Sequence, residues 1–265
     1  MRKKTFNTKT VVFGAFLVAI AFLLGGGFAR FTGIPTSIKI NFGGAQQSIG
    51  FTAVPLVIGS IVLGPMPGLA IAAIYDTLSY IFIVGGVWNP IFTISEMVIG
   101  FLPGLIYKLV FNKLKVDKPH LKLTTIMLAV YTIGVILFSS MIGEAGSTSQ
   151  KAVQMISFEG GFHIVNGVLL AGFIVVGLLS IAMVWYFGNL KKETGLFSYD
   201  KLYLVTFIGL LLRSLISGWG LWLFLGKTIP LIYYWLPRFI TPMFTAPISA
   251  YAIAKLSYIL KKYTK

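Results

Sequence analysis

Residues 1–30 read MRKKTFNTKTVVFGAFLVAIAFLLGGGFAR. Four cations, Arg2, Lys3, Lys4 and Lys9, precede a charge-free apolar run over about 10–29, and Arg30 follows it. A run of about 20 apolar residues spans a bilayer as a helix. The cations at its start mark the side that stays in the cytoplasm. Basic residues before an apolar core also suit a signal peptide. The run continues into Gly25-Gly26-Gly27 without a clean cleavage pattern, so it reads as a retained span.

The rest of the chain repeats this arrangement. Further apolar runs fall at about 46–63, 66–84, 90–112, 123–143, 162–187, 202–225 and 236–259, which gives eight spans of bilayer length. With eight spans, 16 of the 22 Lys and Arg lie on one side: the four at the N-terminus, then Lys108, Lys113, Lys115, Lys118, Lys122, Lys191, Lys192, Lys201, Lys255, Lys261, Lys262 and Lys265. Arg30, Lys39, Lys151, Lys227 and Arg238 fall opposite, and Arg213 lies within a run. The bias predicts both termini in the cytoplasm of a multi-pass cell-membrane protein, and an even number of spans. The expectation is an all-α membrane protein in one polytopic domain, residues 1–265.

Composition agrees. Hydrophobic residues make up 57% and charged residues 11%, with mean hydropathy +0.88; a soluble domain carries about 25% charged residues. The net charge of +15 forms no basic stripe of the nucleic-acid kind, so no nucleic-acid partner is expected. There is no cysteine, which excludes thiol chemistry. His120 and His163 lie far apart without local carboxylates, so neither a metal site nor a cofactor is predicted. The chain holds no Walker A, H-E-x-x-H or G-x-S-x-G pattern and is read as no enzyme.

The connections on the side opposite the lysines carry chemistry. Residues 30–49 mix Asn41, Gln46, hydroxyls and aromatics; 85–90 offers Trp88 and Asn89; 226–237 offers Tyr233, Tyr234 and Trp235, followed by Arg238. Aromatic faces, amides and a guanidinium suit a flat, polar, anionic ligand. The same Trp and Tyr residues suit a belt at headgroup level; the ligand reading rests on the set. Three charges lie deeper inside runs, Asp76, Glu96 and Arg213, while Lys108, Arg238 and Lys255 lie toward run ends. Charges at such depth need partners or a function. Asp76 and Arg213 have depths that would let them pair, whereas Glu96 lies nearer the outer connections. Ala15 and Ala19, Ala246, Ala250 and Ala254, Gly64 and Gly68, and Gly100 and Gly104 have four-residue spacing, which lets helices approach closely.

Three stretches together carry a family resemblance. Leu63-Gly64-Pro65-Met66-Pro67-Gly68 is followed by Asp76 and Tyr80; Asn89-Pro90-Ile91-Phe92-Thr93-Ile94-Ser95 leads to Gly100 and Gly104; Leu236-Pro237-Arg238 precedes Pro247-Ile248. In this order they resemble the S component, the substrate-binding membrane subunit, of an energy-coupling factor (ECF) vitamin transporter, most like the folate-type group. Related S components take riboflavin or pantothenate. The resemblance implies a six-helix core at about 10–113 and 202–260, with a helix pair inserted at about 123–187. It implies a vitamin-like small molecule, an ECF transmembrane coupling subunit and two ATPase subunits as partners within the lipid bilayer, with Ala15 and Ala19 as the docking face. In such a site Trp88, Tyr234 and Trp222 would stack on the ring, and Asn41, Gln46 and Asn89 would hydrogen-bond its edges. Glu96 would accept from ring N–H groups and Arg238 would clamp a carboxylate. A stand-alone secondary transporter or channel is the alternative; paired broken helices or inverted repeats would favour it.

Overall fold

A computed structural model describes residues 8–35, 37–42, 45–85, 88–113, 126, 128, 129, 131–134, 166–189, 199–225 and 231–263. The chain forms two units, one of Met1–Ser37 with Gly50–Asp117, the other of Ile38–Ile49 with Lys118–Lys265. Among the described residues, four helical stretches are long and apolar enough to cross a membrane: Thr8–Thr32, Pro65–Val84, Pro90–Val110 and Tyr199–Phe224. The protein is a multi-pass helical membrane protein. The expected run at 123–143 lies largely outside the described residues.

In the first unit, α1 (Thr8–Phe22) passes through a π-helical turn (Leu23–Gly27), kinked at Gly26, into the short α2 (Phe28–Thr32). Then come α3 (Ala53–Val62), α4 (Pro65–Ser79) with a π-helical end (Tyr80–Val84), and α5 (Pro90–Ile106), also ending in a π-helical segment (Tyr107–Lys113). Proline begins both α4 and α5, where its missing N–H costs nothing.

The run expected at 46–63 is not one helix. Strands β1 (Ser37–Phe42) and β2 (Ala45–Gly50) pair as a two-stranded sheet, and α3 begins only at Ala53. Ile38, Ile40 and Phe42 alternate with Lys39 and Asn41, the period of a strand. The 10 residues of α3 reach about 15 Å, half the hydrocarbon thickness. Eight of them are buried, so α3 is a core helix against which α1, α4 and α5 pack.

That packing depends on small residues. A Cβ on Gly68 would overlap Gly100 O, and one on Gly100 would overlap Gly68 O, so α4 and α5 cross backbone to backbone. Of the glycines with four-residue spacing, Gly68, Gly100 and Gly104 therefore serve internal packing.

In the second unit, α7 (Tyr199–Phe224) and α8 (Leu231–Tyr263) are antiparallel. Trp235 Nε1 donates to Leu215 O at 3.0 Å, and Tyr199 Oη donates to Pro247 O at 3.4 Å. Leu202, Tyr203, Val205, Leu210, Met243 and Ile253 fill the interior. Helix α6 (Asn166–Asn189) packs on α8: Ser180 Oγ donates to Met243 O at 2.6 Å, and the Phe187 ring stacks on Tyr251 with centroids 4.4 Å apart. Tyr131 Oη donates to Phe239 O at 3.0 Å, and its ring meets Phe207 edge-on.

Candidate ligand-binding site

Two groups of side chains stand out, one in each unit. In the first unit, α5 begins at Pro90 immediately after Trp88 and Asn89. Asn89 is the N-cap, its Oδ1 accepting from Ile91 N at 3.0 Å. That commits its carbonyl oxygen to the helix. Trp88 is 51% exposed, and its indole N–H donates to Thr93 Oγ1 at 3.2 Å. Thr93 in turn donates to Asp76 Oδ2 on α4 at 2.6 Å. Glu96 lies three residues further along α5, on the same face as Thr93, and is buried.

In the second unit, Arg238 on α8 is 5% exposed. Its Nε donates to Ser217 Oγ at 3.2 Å, and its Nη1 donates to Tyr234 O at 3.0 Å. Among the described residues no carboxylate takes its charge, and two of five guanidinium N–H groups are used. Arg213 is one helical turn from Ser217 on the same face of α7. Gly218 makes room: a Cβ there would overlap the Trp235 ring and approach Arg238 Cδ at 3.3 Å. Tyr234 is buried and Trp222 half-buried.

Of the residues expected at a ligand, Trp88 and Asn89 thus lie at the start of α5 and Glu96 further along the same helix, whereas Trp222, Tyr234 and Arg238 belong to the α7–α8 pair. Asn41 and Gln46 lie on β1 and β2, and their side chains are outside the described residues. Thr93, Ser217 and Gly218 were not anticipated as site residues from sequence, and Trp235 was offered only among the outer aromatics. Thr93 follows Asn89 by four residues, a helical spacing that would have placed both on one face. The others required knowing how α7 and α8 align.

Ala15 and Ala19 are exposed on α1. They line an apolar groove of about 550 Å3 together with Val11, Leu63, Pro67, Ile71, Ile74 and Leu78. Residues on the buried side of α1, Leu17 and Val18, fix its rotation so that this alanine pair faces outward.

A family model described as the ECF-type riboflavin transporter, S component, matches residues 5–184 of the 265. The chain belongs to this family. Membership makes it a transporter S component rather than a member of an enzyme family, and it implies a small-molecule substrate, a coupling subunit and ATPases. The matched residues take in α1 to α5 and most of α6; Trp222, Tyr234 and Arg238 lie beyond them. A Mycoplasma pneumoniae (strain ATCC 29342 / M129 / Subtype 1) protein named "Uncharacterized protein MG313 homolog" is 26% identical over 224 residues, covering 82% of this chain and 73% of that one. No solved structure matches the chain.

Proposed function

We propose that this chain is the substrate-binding subunit of an ECF importer that captures folate or a related vitamin at the outer face. It delivers the vitamin together with a coupling subunit and two ATPases. The match over residues 5–184 carries the reading. Trp88 supports it with a half-exposed indole for a flat ring, and Arg238 supports it with a buried guanidinium whose partners here are a hydroxyl and a carbonyl. A guanidinium with donors to spare suits the carboxylates of a folate-type vitamin. The proposed topology keeps the six-helix core at about 10–113 and 202–260, the inserted pair at about 123–187, and both termini in the cytoplasm, following the lysine bias. A second reading, riboflavin, is favoured by the family's description.

Mass spectrometry of small molecules that co-purify with the chain, followed by titration calorimetry with folic acid and riboflavin, tests the proposal. A tightly bound folate supports it; tight binding of riboflavin alone transfers the assignment to the second reading. Uptake by the purified chain in vesicles, without coupling subunit or ATPases, would favour a stand-alone transporter or channel and overturn the proposal.

A further inference from the structure

We infer that Thr93 is a positioning residue for the ligand. It links Asp76 on α4 to Trp88 at the head of α5 and sets the angle at which the indole face is presented. The inference rests on the proposed vitamin-binding role.

The proton arrangement admits one sense. Thr93 has a single hydroxyl hydrogen, which it donates to Asp76 Oδ2 at 2.6 Å. The lone pairs of the hydroxyl are then the acceptors left for the Trp88 indole N–H at 3.2 Å. Indole can only donate, so the Trp88 end of the chain of bonds is fixed by chemistry. Trp88 lies outside α5, and among the described residues no backbone hydrogen bond of Trp88 holds it. With half its surface uncovered, packing does not lock its rotation either. The bond to Thr93 is the directional constraint that remains, and Asp76 keeps the Thr93 rotamer that supplies it. Asp76 thereby acts on the site through Thr93 and Trp88. The ligand class that profits is a flat heteroaromatic ring, because stacking falls off when the two planes are not held parallel and offset.

The experiment uses the full-length chain in detergent, 15N-labelled at tryptophan, with the Trp88 indole cross-peak assigned by its loss in Trp88→Phe. Folic acid and riboflavin are the titrants. Thr93→Val keeps the shape and removes the hydroxyl, and Thr93→Ser restores it. The expected result is a shifted Trp88 cross-peak and about five- to tenfold weaker vitamin binding in Thr93→Val, the worth of one ordinary hydrogen bond. Both should be recovered in Thr93→Ser. In the Trp88→Phe background, where no N–H remains to be held, Thr93→Val should cost nothing further. An unmoved cross-peak, or unchanged affinity despite a moved one, overturns the inference. If Thr93→Val does not fold, exchange of the wild-type Trp88 indole hydrogen decides: slow exchange supports the bond, and exchange as fast as for a free indole overturns it. Absence of binding by the wild-type chain to either vitamin defeats the functional reading instead, and the relay then stands or falls with the cross-peak.

Discussion

The Gly104 amide donates to Ser60 Oγ at 2.8 Å, joining α5 to α3 inside the first unit. The same hydroxyl donates to Phe101 O at 3.2 Å. Pro103 lies between those two positions in α5 and has no N–H to give. Ser60 therefore ties down helix backbone beside a proline, and a residue of α3 supplies the tie. In apolar surroundings an orphaned backbone group is costly. Gly104 has no side chain at this contact because a Cβ would overlap Ser60 O.

Ser60→Ala should consequently destabilise the protein by about 1–3 kcal/mol, the cost of leaving buried groups unsatisfied. Gly104→Ala should cost more, since it separates two helix backbones. Thermal unfolding in detergent checks both. A melting point for Gly104→Ala equal to that of the wild type would contradict the close crossing.

Gly218 gives a parallel case at the second group. Gly218→Ala drives a methyl into the Trp235 ring, so the Trp235–Leu215 bond should break and the Arg238 stem should shift. The expected outcome is a loss of about 1–3 kcal/mol of stability, a changed tryptophan emission spectrum and weakened vitamin binding. Unchanged emission with unchanged binding would show that the ring has room after all.

Membrane class was legible because hydropathy and lysine bias are additive along the chain and need no knowledge of packing. The S-component resemblance was legible for a similar reason: Gly64-Pro65, Gly68, Gly100 and Gly104 mark turns and close crossings that demand those residues. The hairpin at 37–50 was written in the sequence as alternation around Gly43-Gly44, but the length criterion absorbed its second strand into an apolar run. Asn89 was also readable as an N-cap, since Asn before Pro at a helix start is a capping pattern. Thr93 and Ser217 were not readable, because their partners come from neighbouring helices and depend on how those helices cross.

Topology follows from the lysine bias. Single cysteines placed in this cysteine-free chain can be labelled from either side of the membrane. Residues near 150 should react from outside, and both termini only after the membrane is opened. Labelling at 150 from the cytoplasmic side alone would overturn the eight-span arrangement.

The alanine pair predicts a separation of binding from transport. Ala15→Trp with Ala19→Trp fills the groove beside α1 with two indoles while leaving Trp88, Thr93 and Arg238 untouched. Vitamin affinity should stay within about twofold, since neither substituted residue is among those proposed to touch the ligand. Co-purification with the coupling subunit and ATP-driven uptake should be lost. Normal uptake by the double variant would remove the docking role from this face.

Arg238 carries the sharpest test of the ligand's charge. Its guanidinium is buried, held by Ser217 and Tyr234, and unpaired with any carboxylate among the described residues. Removing a desolvated charged contact typically costs about 2–5 kcal/mol, or roughly 30- to several-thousand-fold in affinity. Arg238→Ala should therefore weaken folic acid by that factor while changing the affinity of its neutral pterin fragment far less. Arg238→Lys keeps the charge but loses the planar fork, so it should fall between the two. Calorimetry on the purified variants with both ligands gives the comparison. Equal losses for folic acid and pterin would mean that Arg238 supports the α7–α8 pair and does not hold a carboxylate, and the folate reading would lose its anchor.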